Sequence, residues 1–202
     1  MATEVDICNL ALARLGDDAT VASINPPEGS AQAEHCARFY PIARDAMLDL
    51  HNWGFCTTRA ALSLLAAAPV SGWLYAYAPP SAAINILSVF QPGAADDFDP
   101  QPFEIETLTD GASVIYTNVV SAVCRYTIHV TDTSRFQPLF VEALSWLLAS
   151  HLAGPILKGD AGAKMAIQCY KAFEVKMAQA TASDAAQRRV APTHNVAWIA
   201  GR

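Results

Sequence analysis

The spacing of apolar residues changes twice along this chain, and those two changes constrain its fold more than any other feature. Up to Trp53 apolar residues recur three and four apart, from Phe55 to Thr131 they fall into short runs, and from Ser134 the wider spacing returns. Three-and-four spacing marks one face of a helix, and short alternating runs mark strands. Thr3 is a good N-cap with Asp6 in the capping-box position, and Ile7, Leu10, Ala11 and Leu15 then mark a helical face that Gly16 ends. Ser30 caps a second helix, whose stripe is Cys36, Tyr40, Ala43, Met47 and Leu50. Pro41 lies inside that stripe and predicts a kink or a fresh helical start, and Trp53-Gly54 ends the helix.

The middle segment has strand composition at Trp73–Ala78, Ala83–Phe90, Phe103–Leu108, Ala112–Tyr116 and Ala122–Val130. Asp110-Gly111 is a hairpin signal, and Gln91–Pro102 reads as an exposed loop. Two more helices follow. Phe136, Leu139, Phe140, Ala143, Leu144, Leu147 and Leu148 mark the third, which Gly154-Pro155 should stop. Asp160 can cap the fourth, with Met165, Cys169, Tyr170, Phe173, Met177 and Ala180 on one side. The expectation is an α+β fold: a four-helix bundle from residues 1–53 and 134–183, an antiparallel β region (54–133) inserted between the second and third helices, and an extended C-terminal tail over 184–202.

Apolar residues make up 52% and charged residues only 16% of the 202. Ordinary domains carry about 25% charged residues, so a partner is expected to cover part of this surface. The richest apolar stretch, Phe136 to Ile156, is interrupted by Gln137, Pro138, Glu142, His151 and Pro155, and no secretory signal opens the chain, so a soluble protein with no membrane partner is expected. The net charge of −6 is uneven: residues 1–110 hold 14 acidic and 4 basic residues, and residues 158–202 hold 7 basic and 3 acidic. An acidic body argues against duplex DNA as the main ligand and fits a chain that meets itself or another protein. Five cysteines with no C-x-x-C spacing read as free buried thiols of a reducing cytoplasm.

Motifs that carry chemistry are missing. Gly154 and Gly159 have P-loop spacing, but Asp160 stands where the phosphate-binding lysine belongs. No nucleophile elbow and no ligand-spaced histidine pair occurs. Asp96, Asp97 and Asp99 form a carboxylate cluster that lacks the rest of a calcium loop, so a solvated loop is the better expectation. No catalytic residue, metal or cofactor is expected.

Several segments are informative through their order. Ile7-Cys8-Asn9-Leu10-Ala11-Leu12 precedes Leu15-Gly16 and Val21–Ile24; Glu34-His35-Cys36 precedes Tyr40-Pro41, Ala43-Arg44-Asp45 and Leu48. Trp53-Gly54-Phe55, Arg59 and Leu62 follow, then Trp73, Tyr75-Ala76-Tyr77 and Pro79-Pro80, then Tyr126 and Phe136 with Pro138-Leu139-Phe140. Together these resemble the tail tubular protein A family, the head-to-tail adaptor of short-tailed phages, over residues 5–180. One departure is Pro80-Ser81-Ala82, where the family often carries a polar or acidic residue and a cysteine. The resemblance implies a structural, non-enzymatic ring subunit, usually dodecameric, in the virion at the head-tail junction, made in the host cytoplasm. Its partners would be further copies of itself, the portal protein and the tail nozzle or other tail proteins. Double-stranded DNA would pass through the channel without specific binding. Within that frame Asp96, Asp97 and Asp99 are candidates to face the channel. Arg188, Arg189, Trp198 and Ile199 are candidates to anchor the tail on the portal or the next subunit. The competing expectations are a small enzyme with an unrecognised site and a nucleic-acid-binding module using the basic C-terminal part.

Overall fold

A computed structural model of the chain describes residues 2–66, 69, 72–94 and 100–187. It is mixed α and β, with four helices and antiparallel sheets among the described residues, compatible with α+β. The chain divides into two compact units, a helical one from residues 2–56 and 129–187 and a β unit from residues 57–128.

In the helical unit, α1 (Glu4–Arg14) begins as expected: the Thr3 hydroxyl accepts from Asp6 N–H, and the Asp6 carboxylate accepts from Thr3 N–H. The Ser30 hydroxyl caps α2 (Ala31–Leu50) by accepting from Ala33 N–H. Pro41 does not divide α2, which runs through it as one helix. Tyr40, Ala43, Met47 and Leu48 are buried on both sides of the proline. Burying them offsets the lost backbone hydrogen bond, whose cost is about 3 kcal/mol. A 3-10 turn (Gly54–Cys56) leads out of the unit, and a second (Thr133–Arg135) precedes α3 (Pro138–Leu157). So α3 starts at Pro138, a favourable first position, rather than at Ser134. It also runs past Gly154-Pro155 to Leu157, because a proline in the last turn sacrifices one bond near an end that frays anyway.

Helix α3 is long and apolar enough to cross a membrane by length and composition, yet 56% of its most apolar stretch is buried within the protein. It packs against α1, α2 and α4 (Gly159–Gln187), which accounts for its all-round apolar composition. At the tight reversal from α3 to α4, Gly162 lies so close to α3 that a Cβ there would sit 2.8 Å from the Ala153 carbonyl oxygen. Most stripe residues are buried or half-buried. Leu10, Leu50 and Tyr170 were expected inside and are exposed. Helix α4 takes in residues 184–187, which the fading periodicity had assigned to the tail.

The β unit holds two sheets. One has the order β1 (Thr57–Ala61), β7 (Val123–Ile128), β4 (Ala83–Phe90); the other has β2 (Ser63–Leu64), β3 (Tyr75–Ala78), β6 (Ser113–Thr117), β5 (Phe103–Thr107). All pairings are antiparallel. Tyr77, Val89, Ile115 and Cys124 lie in one core, with contributions from both sheets. The Asp110-Gly111 turn joins β5 to β6, with Gly111 at φ +85°. Strands β1 and β2 were not anticipated.

Candidate functional site

None of the residues singled out for a role falls within the described part of the chain: Asp96, Asp97, Asp99, Arg188, Arg189, Trp198 and Ile199 all lie outside it.

Most of the polar motif residues bind the chain's own backbone. Asn9 donates from its amide to Val21 O at 3.0 Å and accepts from Val21 N–H at 2.8 Å, so it ties the loop after α1 back onto that helix. Trp53 is fully buried and donates from its indole to Met47 O at 2.7 Å. The Tyr77 hydroxyl donates to Val119 O and accepts from Ala122 N–H, closing the loop between β6 and β7. Asp45 accepts from Arg44 at 2.8 Å and lies 2.7 Å from His129 Nε2. Partial burial pushes its carboxyl upward, but the hydrogen bonds from Arg44 and His129 outweigh that and hold it below the ordinary value.

Asp184 is the densest polar junction in the helical unit. Its buried carboxylate accepts from Gly54 N–H and from Gln137 Nε2, both at 3.1 Å, and lies 3.2 Å from His51 Nε2. It pins the last turns of α4 to the 3-10 turn after α2. The motif glycine is explained by the same contact, since a Cβ on Gly54 would sit 3.3 Å from Asp184 Oδ1.

Catalytic geometry does not emerge from these contacts. Among the described residues no group of three His, Cys, Asp or Glu side chains could hold a metal ion. All five cysteines are buried and free. Burial pushes the Cys56 and Cys124 thiols up to about 11, so neither is a thiolate near neutral pH. A groove of about 510 Å³ between α3 and α4 is lined by Ser150, His151, Ile167, Tyr170, Lys171 and Glu174, mostly apolar and open to solvent. Burial lowers the pKa of His151 there.

Sequence reasoning missed one feature of the β unit. Arg59 on β1 stands directly opposite Arg125 on β7, with Ser88 on the far side of Arg125. Like charges directly opposed across a strand pair are destabilising. Arg59 lies over the Phe90 ring and donates to Ala94 O, and burial followed by the Arg59 charge pushes Arg125 below its ordinary value. The signal was the register of β1, which could not be read while β1 itself was unrecognised.

No protein-family model matches the chain, and no curated protein matches it.

Proposed function

We propose that this chain is a phage head-to-tail adaptor: a non-enzymatic subunit that forms a ring, dodecameric in the family it resembles, between portal and tail, and extends the DNA channel. In this reading the helices form a four-helix bundle, the β unit is an insertion into it, and the C-terminal segment with Arg188, Arg189, Trp198 and Ile199 reaches an assembly partner.

The observation that carries the reading is the use made of the ordered motifs. Asn9, Trp53, Gly54 and Tyr77 are spent on internal latches, each closing a loop or a junction onto the protein's own backbone or onto Asp184. Residues used for internal rigidity suit a subunit whose work is to hold a shape under load. A low charge content of 16%, with Leu10, Ile42, Leu50, Ile167 and Val175 exposed on the helices, suits a surface that other copies cover. The acidic bias of residues 1–110 suits a channel wall along which DNA phosphates slide.

The test is attachment to the portal. The full chain, incubated with purified portal rings of the same phage, should co-sediment with them in fixed stoichiometry, and a chain ending at residue 189 should do so with at least tenfold lower affinity, roughly 1.4 kcal/mol. A full chain that never joins portal rings would overturn the adaptor reading.

A further inference from the structure

The four sheet edges of the β unit are not alike. β2 has two residues, and β4 has register shifts between Ala83 and Ile86 and between Ile86 and Ser88. Short or irregular edges are how folds discourage strand addition. β1 and β5 are both five residues long, in regular register with one strand neighbour each among the described residues. Their charges separate them: β1 carries Arg59 with Arg125 beside it, whereas β5 carries Glu104 and Glu106, with Asp110 just beyond. β5 also exposes apolar groups, Ile105 and then Leu108. Leu108 N–H donates to Ala112 O, and amides alternate in direction along a strand. Those of Glu104 and Glu106 therefore face β6, and those of Phe103, Ile105 and Thr107 face outward.

The C-terminal segment has the matching chemistry. Residues 188–202 hold three arginines and no acidic residue, and Asn195–Ala200 contains Val196, Trp198 and Ile199, residue types that favour strands. Beginning after Gln187, its 15 residues can extend to roughly 50 Å, enough to leave one subunit and reach another. We infer that residues 188–202 of one copy add as a strand to the β5 edge of a neighbouring copy. Backbone hydrogen bonds would come from the outward amides of β5, apolar contact from Ile105 and Leu108, and charge pairing from Glu106. Glu106 and Asp110 give the β5 edge carboxylates that suit the basic segment, and β1 carries none, which fixes the choice of edge. A tail and an edge are different surfaces, so each copy gives to one neighbour and takes from another, and such a contact closes a ring. The inference rests on the ring reading for that closure and names the partner of the tail as a second copy.

Disulfide trapping tests it, because all five native thiols are buried. Full-length Ile105→Cys and Ile199→Cys copies, concentrated together under oxidised glutathione without portal, should give cross-linked heterodimers, and neither variant alone should. Adding Glu106→Lys should lower the yield about tenfold through like-charge repulsion. Thr107→Pro should abolish it while sparing the bonds to β6, since it removes an outward amide; circular dichroism checks that both variants fold. No cross-link, or a yield unchanged by Glu106→Lys and Thr107→Pro in folded protein, would overturn the inference. A chain that joins portal rings without cross-linking overturns the tail exchange alone. A chain that cross-links yet never joins them overturns the adaptor reading alone.

Discussion

Gly162 is where a single atom decides how closely two helices pack. A methyl group there would collide with the Ala153 carbonyl oxygen, which belongs to backbone and cannot swing aside. Gly162→Ala should cost about 1–3 kcal/mol, the usual range for overpacking, read as a lower denaturant midpoint. Gly154→Ala meets nothing within 4 Å, so it should leave stability unchanged or raise it by up to about 1 kcal/mol through helix propensity. Asp184 is the polar counterpart. Asp184→Ala would remove the carboxylate that Gly54 N–H and the Gln137 amide share, at an expected cost of about 1–3 kcal/mol for losing hydrogen bonds to a charged group. His151 sets a pH dependence. It stacks on Phe39, and burial lowers its pKa below the ordinary 6.5, so the unfolded chain binds the proton more readily. Its contribution is present above pH 6.5 and is lost as the pH falls below it. Melting temperatures at pH 7 and pH 5 should therefore drop less in His151→Gln than in the wild type.

At the scale of elements, what was legible followed the strength of local signals. The caps at Thr3 and Ser30 and most of the buried stripe residues could be read, because capping and periodicity are properties of neighbouring residues. Pro41 and Pro155 misled, because their penalties are local whereas the burial that overrides them comes from α1, α3 and α4. β1 and β2 escaped notice because Thr57–Leu64 has two adjacent alanines, a residue depleted in strands, and no clean alternation. Of the candidate site, the motif residues were found but their use as internal latches was not, since their partners Val21, Val119 and Asp184 lie far along the chain. One contrast tests the assignment of α3 as the core helix. Leu144 is fully buried and Leu50 is 58% exposed, although both sit on an apolar stripe. Leu144→Ala should lower stability by about 2–5 kcal/mol, whereas Leu50→Ala should change it by less than about 1 kcal/mol, both read from denaturant midpoints. Equal small effects would mean that α3 presents an interface rather than a core.

For the whole molecule, the reading unites an acidic N-terminal half, a charge-poor surface, rigid internal latches and a basic C-terminal segment. On the proposed adaptor reading, such a subunit would close a ring through contacts between unlike surfaces and present a wall that does not hold DNA. The acidic residues of positions 1–110, including Asp96, Asp97 and Asp99, are expected to dominate the groups facing the axis. The most direct measurement is imaging by electron cryo-microscopy of the full chain assembled on portal rings. The account predicts a closed ring of copies coaxial with the portal, with an acidic lumen. Single copies scattered on the portal, an open filament, or a ring with a basic lumen would contradict it.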